Sequence, residues 1–226
     1  MKMRFARWLL AMIAVCGATG LARAEESTEI ECLKSSAFFA PPDSSEHFKY
    51  APDRDVDILH VALDVAPDFT NRTVAVKTAI TFKPLVKPLE ELSLDAVDLT
   101  VNSVESSDKI AAYQVNDDKI IVTFAKPIPP DKEAWVKIET HAEPALGLYF
   151  RTPEMGYKDG DTHLFSQGEE IEARHWYPCF DSPNEKFTSE VTCHVPEGMT
   201  VISNGRLVSE EKDPATGLMA DRKSVV

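Results

Sequence analysis

Residues 162–205 of this 226-residue chain hold most of its chemically interesting side chains. Gln167, Glu169 and Glu170 set an amide and two carboxylates close together, at the edge of an expected sheet. Such groups can hold an ammonium ion through charge-assisted hydrogen bonds. The same residues also make up a solvated acidic face, and on residue type alone that plainer reading is the stronger. Further along, Pro178 and Pro183 bracket Cys179, Phe180, Asp181 and Ser182. The fixed φ of proline, and its restriction on the preceding residue, stiffen that loop. His175, Cys179, Cys193 and His194 are the residues of the right type to gather round zinc. Their spacing fits no common zinc module, and strand alternation puts Cys193 and His194 on opposite faces. No histidine is followed by another four residues later: positions 51, 64, 145, 167, 179 and 198 are Ala51, Asp64, Ala145, Gln167, Cys179 and Gly198. H-E-x-x-H is therefore absent, as are G-x-S-x-G and the P-loop. No catalytic residue and no metal ligand is expected within this chain.

The elements that must position these side chains read as strands. From Asp57 onward the apolar period is two. Leu59, Val61, Leu63 and Val65 alternate with Ile58, His60, Ala62 and Asp64, and Val74, Val76, Thr78, Ile80 and Phe82 repeat the pattern after a turn. That alternation predicts half-buried strands. Further strands are expected at 92–101, 119–124, 135–140, 147–151, 162–166 and 187–195. Asn116-Asp117-Asp118 reads as a hairpin turn. Asn204-Gly205 reads as a second one, joining 200–203 to 206–210. The best helical stretch is 169–175, opened by Glu169, Glu170 and Glu172 and stopped by Pro178. Many short strands with turns between them predict an all-β, antiparallel, saddle-like sandwich. The sequence ends inside a returning strand, as expected of one cut short.

The N-terminus addresses the chain. Lys2, Arg4 and Arg7 precede an apolar run from Trp8 to Val15, and Ala22-Arg23-Ala24 offers a cleavage site. Residues 1–24 therefore read as a signal peptide and the chain as exported, to the periplasm or beyond. The run is short of the ~20 apolar residues of a span, so no membrane span is expected after cleavage. Residues 25–55 are polar and Pro-rich and read as an extended arm, with the β domain over 56–226. Removing four positive charges with the leader moves the net charge from −13 to −17. A surface this acidic repels phosphate backbones and excludes nucleic acid as a partner. The mature cysteines, Cys32, Cys179 and Cys193, are odd in number, so a disulfide framework is not expected.

The motif order carries a resemblance. Ser166-Gln167-Gly168-Glu169, and then the run Ala173-Arg174-His175-Trp176-Tyr177-Pro178-Cys179-Phe180-Asp181-Ser182-Pro183, resemble the T-Q-x-E and A-R-x-x-F-P-C-x-D-x-P patterns of the M1 aminopeptidase family. Ser stands in place of Thr, and Tyr in place of Phe. Leu164-Phe165-Ser166-Gln167 is similar to the leukotriene A4 hydrolase branch, and Gly147-Leu148-Tyr149, Val195-Pro196 and Ser203-Asn204-Gly205 also fit. The resemblance implies the N-terminal β domain of such an enzyme, lying against a downstream thermolysin-like catalytic domain. It implies that Gln167 lines the first substrate pocket and that Glu169 holds the α-amino group of a peptide N-terminus. Gly168 would let the backbone run close to substrate. Arg174, Pro178, Cys179, Asp181 and Pro183 would shape the loop. Zinc is implied for the full-length enzyme, on an H-E-x-x-H and a later Glu that this chain lacks, as it lacks G-x-M-E-N. Alone the chain should be inactive. The other class of function open to it is a non-catalytic β-sandwich interaction module.

Overall fold

The computed structural model describes residues 54–225. The expected signal peptide and nearly all of the expected arm lie outside the described residues. Strands dominate: β1 (Val56–Asp68), β2 (Thr73–Pro84), β3 (Leu89–Asp95), β4 (Thr100–Ser106), β5 (Ile110–Val115), β6 (Lys119–Ile128), β7 (Ala134–Ala142), β8 (Leu148–Arg151), β9 (His163–Ser166), β10 (Thr188–Val195), β11 (Arg206–Lys212) and β12 (Met219–Val225). They form a seven-stranded sheet in the order β11-β12-β10-β1-β2-β7-β4, a three-stranded sheet β3-β6-β5, and a two-stranded ribbon β8-β9.

The period-two pattern places the core. Val61, Leu63 and Val65 of β1, Val74, Val76, Ile80 and Phe82 of β2, and Val136 and Ile138 of β7 turn one face of the large sheet inward. Leu92 and Leu94 of β3, with Ile120, Val122 and Phe124 of β6, meet them from the small sheet. Each such side chain contributes about 1.5–3 kcal/mol on leaving water. Thr78 and Thr140 sit among them; Thr140 Oγ1 donates to the Val76 carbonyl at 3.4 Å. The ribbon is tied on by Leu148, which joins this core, and by Phe150, which packs edge-on against Phe69 at 5.8 Å. No helix among the described residues is long and apolar enough to cross a membrane.

Several local expectations are corrected. The large sheet is not wholly antiparallel: β1 pairs with β10 in parallel, from His60 opposite Thr188 to Val65 opposite Cys193. Parallel neighbours need a long crossover, and here it is the whole excursion from β2 to the loop before β10. Leu59 does not share the buried face of Val61. A register shift between Ile58 and His60 puts Ile58 inside instead, because a bulge adds one residue and flips the alternation. The helix expected at 169–175 is a single 3-10 turn, Ala173–His175. The Arg174 carbonyl, which a helix would use internally, accepts the Val97 N–H at 3.0 Å. Asn204-Gly205 joins no hairpin. Gly205 has φ +94°, but Asn204 is not in the left-handed region, which a two-residue type I′ turn requires of both. A Cβ on Gly205 would lie 2.3 Å from the Ser224 carbonyl oxygen, so that glycine serves close approach to β12. The last strand, β12, is paired on both sides, by β10 and β11.

Candidate ammonium-binding loop

The ribbon delivers the loop that carries Gln167 and Glu169. Leu148 pairs with Ser166, Tyr149 with Phe165, Phe150 with Leu164 and Arg151 with His163. The ladder continues one step past β9, where the Gln167 N–H donates to the Gly147 carbonyl at 2.9 Å. Alternation then puts Gln167 on the same face as Phe165 and His163, the face turned away from the core. The chain leaves the ribbon at Gly168, whose carbonyl accepts the Glu172 N–H at 3.0 Å. Gln167, Glu169 and Glu170 are all exposed. Glu169 forms no ion pair with any described residue.

A glycine makes a close approach within the domain here, at Gly147. Gly147 has φ +75°, and a Cβ there would lie 2.0 Å from the Glu172 carbonyl oxygen and 3.1 Å from Trp176 Cδ1. At Gly168 an added Cβ would meet only Ala173, at an ordinary 3.6 Å. The sequence pattern marked Gly147 as one position of a motif. Its reason, the packing of the 172–176 backbone against the ribbon, is a tertiary contact.

The far side of the loop is pinned to the small sheet. Cys179 and Asp95 form an antiparallel bridge, with Cys179 N–H to the Asp95 carbonyl at 3.1 Å and Asp95 N–H to the Cys179 carbonyl at 2.7 Å. Asp181 Oδ2 accepts from Arg174 twice, from its backbone N–H at 3.1 Å and its Nε at 3.0 Å. Asp95 Oδ2 accepts the Asp181 N–H at 3.0 Å, while Asp95 Oδ1 takes Lys119 at 2.9 Å and faces Arg174 Nη1 at 3.7 Å. Burial works against the charge of Arg174, and the hydrogen bond to Asp181 with the charges of Asp95 and Asp181 outweighs it, raising its pKa. Asp95, the hinge of this network, was not singled out by the sequence. Pro178 is buried and Pro183 is exposed, at the two ends of the stiffened turn. Cys179 is a buried free thiol, and burial pushes its pKa well up. Tyr177 is raised likewise, chiefly by burial.

The remaining candidates have their own partners. His175 Nε2 lies 3.3 Å from Glu172 Oε2, and His194 Nε2 lies 3.1 Å from Asp64 Oδ2. Among the described residues no group of three or more His, Cys, Asp or Glu side chains is placed to hold a metal ion. Zinc does not fit the described residues.

Fold and loop together define a class: a β domain presenting an exposed amide and carboxylate on a loop braced from behind. Residues 45–220 match the family described as the Peptidase M1 N-terminal domain, and the chain belongs to that family. Among curated proteins it is 28% identical over 175 residues to a leukotriene A-4 hydrolase of Xenopus laevis, covering 73% of this chain and 29% of that protein. It is 31% identical over 124 residues to a probable aminopeptidase 1 of Saccharolobus solfataricus, covering 55% of this chain and 15% of that one. The chain thus spans less than a third of these relatives. Among solved structures it resembles a two-domain M1 zinc metallopeptidase mutant bound to L-tryptophan, with TM-score 0.65 and 18% identity, over 78% of this chain and 41% of that one. An M1 zinc metallopeptidase mutant of Deinococcus radiodurans bound to a Tyr-Ser-Ala substrate gives TM-score 0.64 and 19% identity, over 78% and 40% of the two chains.

Proposed function

We propose that this chain is the substrate-facing N-terminal domain of an exported zinc aminopeptidase that removes N-terminal residues from peptides. The observation that carries the reading is the loop that exposes Gln167 and Glu169, set on the braced motif of a domain belonging to the M1 family. In it, Gln167 borders the first substrate pocket and Glu169 receives the α-amino group. An unpaired, exposed carboxylate costs the fold nothing to keep free, and an ammonium gives it a charge-assisted partner. Only a chain terminus carries that ammonium, so the contact selects exopeptidase over endopeptidase cleavage. The zinc and the general base belong to a catalytic domain beyond these residues. Export rests on the leader-like first 24 residues.

The test is the native gene product, detected in source extracts with an antibody against this domain and assayed for zinc. A zinc-containing product several tens of kDa above the 25.1 kDa of this chain supports the reading. A product at or below 25.1 kDa, with no catalytic partner bound, would replace it with that of a non-catalytic interaction module.

A further inference from the structure

Among the described residues Arg151 is a cation without an ion-pair partner, in an acidic chain. Arg54, Arg174 and Arg222 each lie against a carboxylate. Arg151 forms no ion pair with any described residue. It is nonetheless held in place. Its guanidinium carbon lies over the rings of Phe165 at 5.1 Å, Tyr157 at 5.6 Å and Tyr149 at 5.7 Å. Nη1 donates to the Phe150 carbonyl at 2.7 Å. Stacking with one bond orients the fork and leaves most of its five N–H donors open.

The surroundings offer a second cation. A cavity of about 210 Å³ beside β8 is lined by Arg72, Glu143, Leu148, Tyr149, Arg151 and Met155, two guanidinium groups against one carboxylate. The other acid nearby is Glu154. Its pKa is lowered first by its own backbone N–H, then by Thr152, and further by Arg72. Rings and a half-buried arginine at a cavity wall strengthen the local field that a carboxylate would meet.

Position says which carboxylate. Arg151 pairs across the ribbon with His163, and Gly147 bonds to Gln167, so the two ends of one ladder face carry the arginine and the amide. Four residues of strand separate them, roughly 13 Å. Glu169 lies two residues further. An extended peptide advances about 3.3–3.6 Å per residue, so about four to six residues bridge the span.

Building on the reading of Glu169 as the amino-end receptor, we infer that Arg151 receives the C-terminal carboxylate of the same peptide. The domain then recognises both ends of short peptides and prefers those of about four to six residues with a free C-terminus. A guanidinium meets a carboxylate by two parallel hydrogen bonds, a geometry that an amide cannot replace.

The experiment is a titration of the 226-residue chain with penta-alanine, followed by NMR chemical shifts. The peptide is used with free ends, N-acetylated, C-amidated, and blocked at both ends. Amidation should weaken binding by about tenfold, the effect of losing one charged hydrogen-bonded pair. It should do so whether or not the amino end is acetylated. Arg151→Gln should weaken the free peptide equally and erase the difference between acid and amide, while Arg151→Lys should keep part of it. Equal binding of acid and amide by the wild-type chain overturns the inference, as does undiminished discrimination in a folded Arg151→Gln. If Arg151→Gln does not fold, the wild-type comparison decides. Indifference to acetylation alone would count against Glu169 and leave Arg151 standing.

Discussion

Replacing Gly147 by alanine tests whether the loop is braced through the ribbon, and Gly156 supplies the control. Both residues are left-handed, with φ +75° and +91°. An L-residue pays about 1–2 kcal/mol there. Loss of unfolded-state freedom returns about 0.4–1 kcal/mol. Gly156→Ala meets nothing within 4 Å, so that balance, about 1 kcal/mol of lost stability, is its whole effect. At Gly147 the new Cβ would lie 2.0 Å from the Glu172 carbonyl oxygen and 2.9 Å from its carbon. The obstacle is backbone, so no rotamer change relieves it, and either the ribbon or the 168–176 loop must move. Overpacking of this kind adds about 1–3 kcal/mol, bringing Gly147→Ala to about 3 kcal/mol. Urea unfolding monitored by tryptophan emission measures both variants. Trp176 Cδ1 stands 3.1 Å from the new atom and should report a changed native spectrum in Gly147→Ala alone. Equal stabilities for the two variants, with unchanged native emission, would refute the bracing argument.

Two further perturbations probe the rest of the framework. Asp95→Ala should cost about 2 kcal/mol, because it strands the Asp181 N–H and removes one of the charges facing Arg174; Asp95→Asn, which keeps an acceptor, should cost less. Thermal unfolding compares them, and equal losses would contradict the proposed role of Asp95. Burial, then the charge of Asp221, raises the Cys193 thiol to about 11. At pH 8 its thiolate should be about a hundredfold scarcer than that of an ordinary cysteine, and alkylation, followed by peptide mass mapping, correspondingly slow. The folded chain keeps a proton that the unfolded chain releases near 9, so the contribution is complete below pH 9 and declines as pH rises through 11. Rapid labelling of Cys193 in the folded chain at pH 8 would contradict this.

Much of the architecture was legible because one-sided burial writes itself as alternation. Val74, Val76, Ile80 and Phe82 announced β2, and the motif run from Arg174 to Asp181 carries the Arg174–Asp181 bonds and the bridge at Cys179. The edges were harder. β5 is largely exposed on both faces and carries no period to read. The bulge at Ile58 was invisible because one inserted residue leaves composition unchanged while reversing the faces. Asn204-Gly205 misled because a turn-prone pair says that the backbone bends, and not which strand the bend serves. Asp95 and Arg151 escaped notice for a common reason: their partners lie far along the chain or across a ribbon. A sequence shows charge, and only a fold shows whether that charge is answered.

The most direct test of the central claim is Glu169→Gln in the whole gene product, assayed on peptides with free N-termini. Exchanging a carboxylate for an amide at an ammonium contact should lower kcat/KM by about thirtyfold or more, corresponding to about 2–5 kcal/mol. Glu169 is exposed and forms no ion pair with a described residue, so the melting temperature should not move. Such a loss with stability intact is the predicted result; an unchanged kcat/KM would contradict the account.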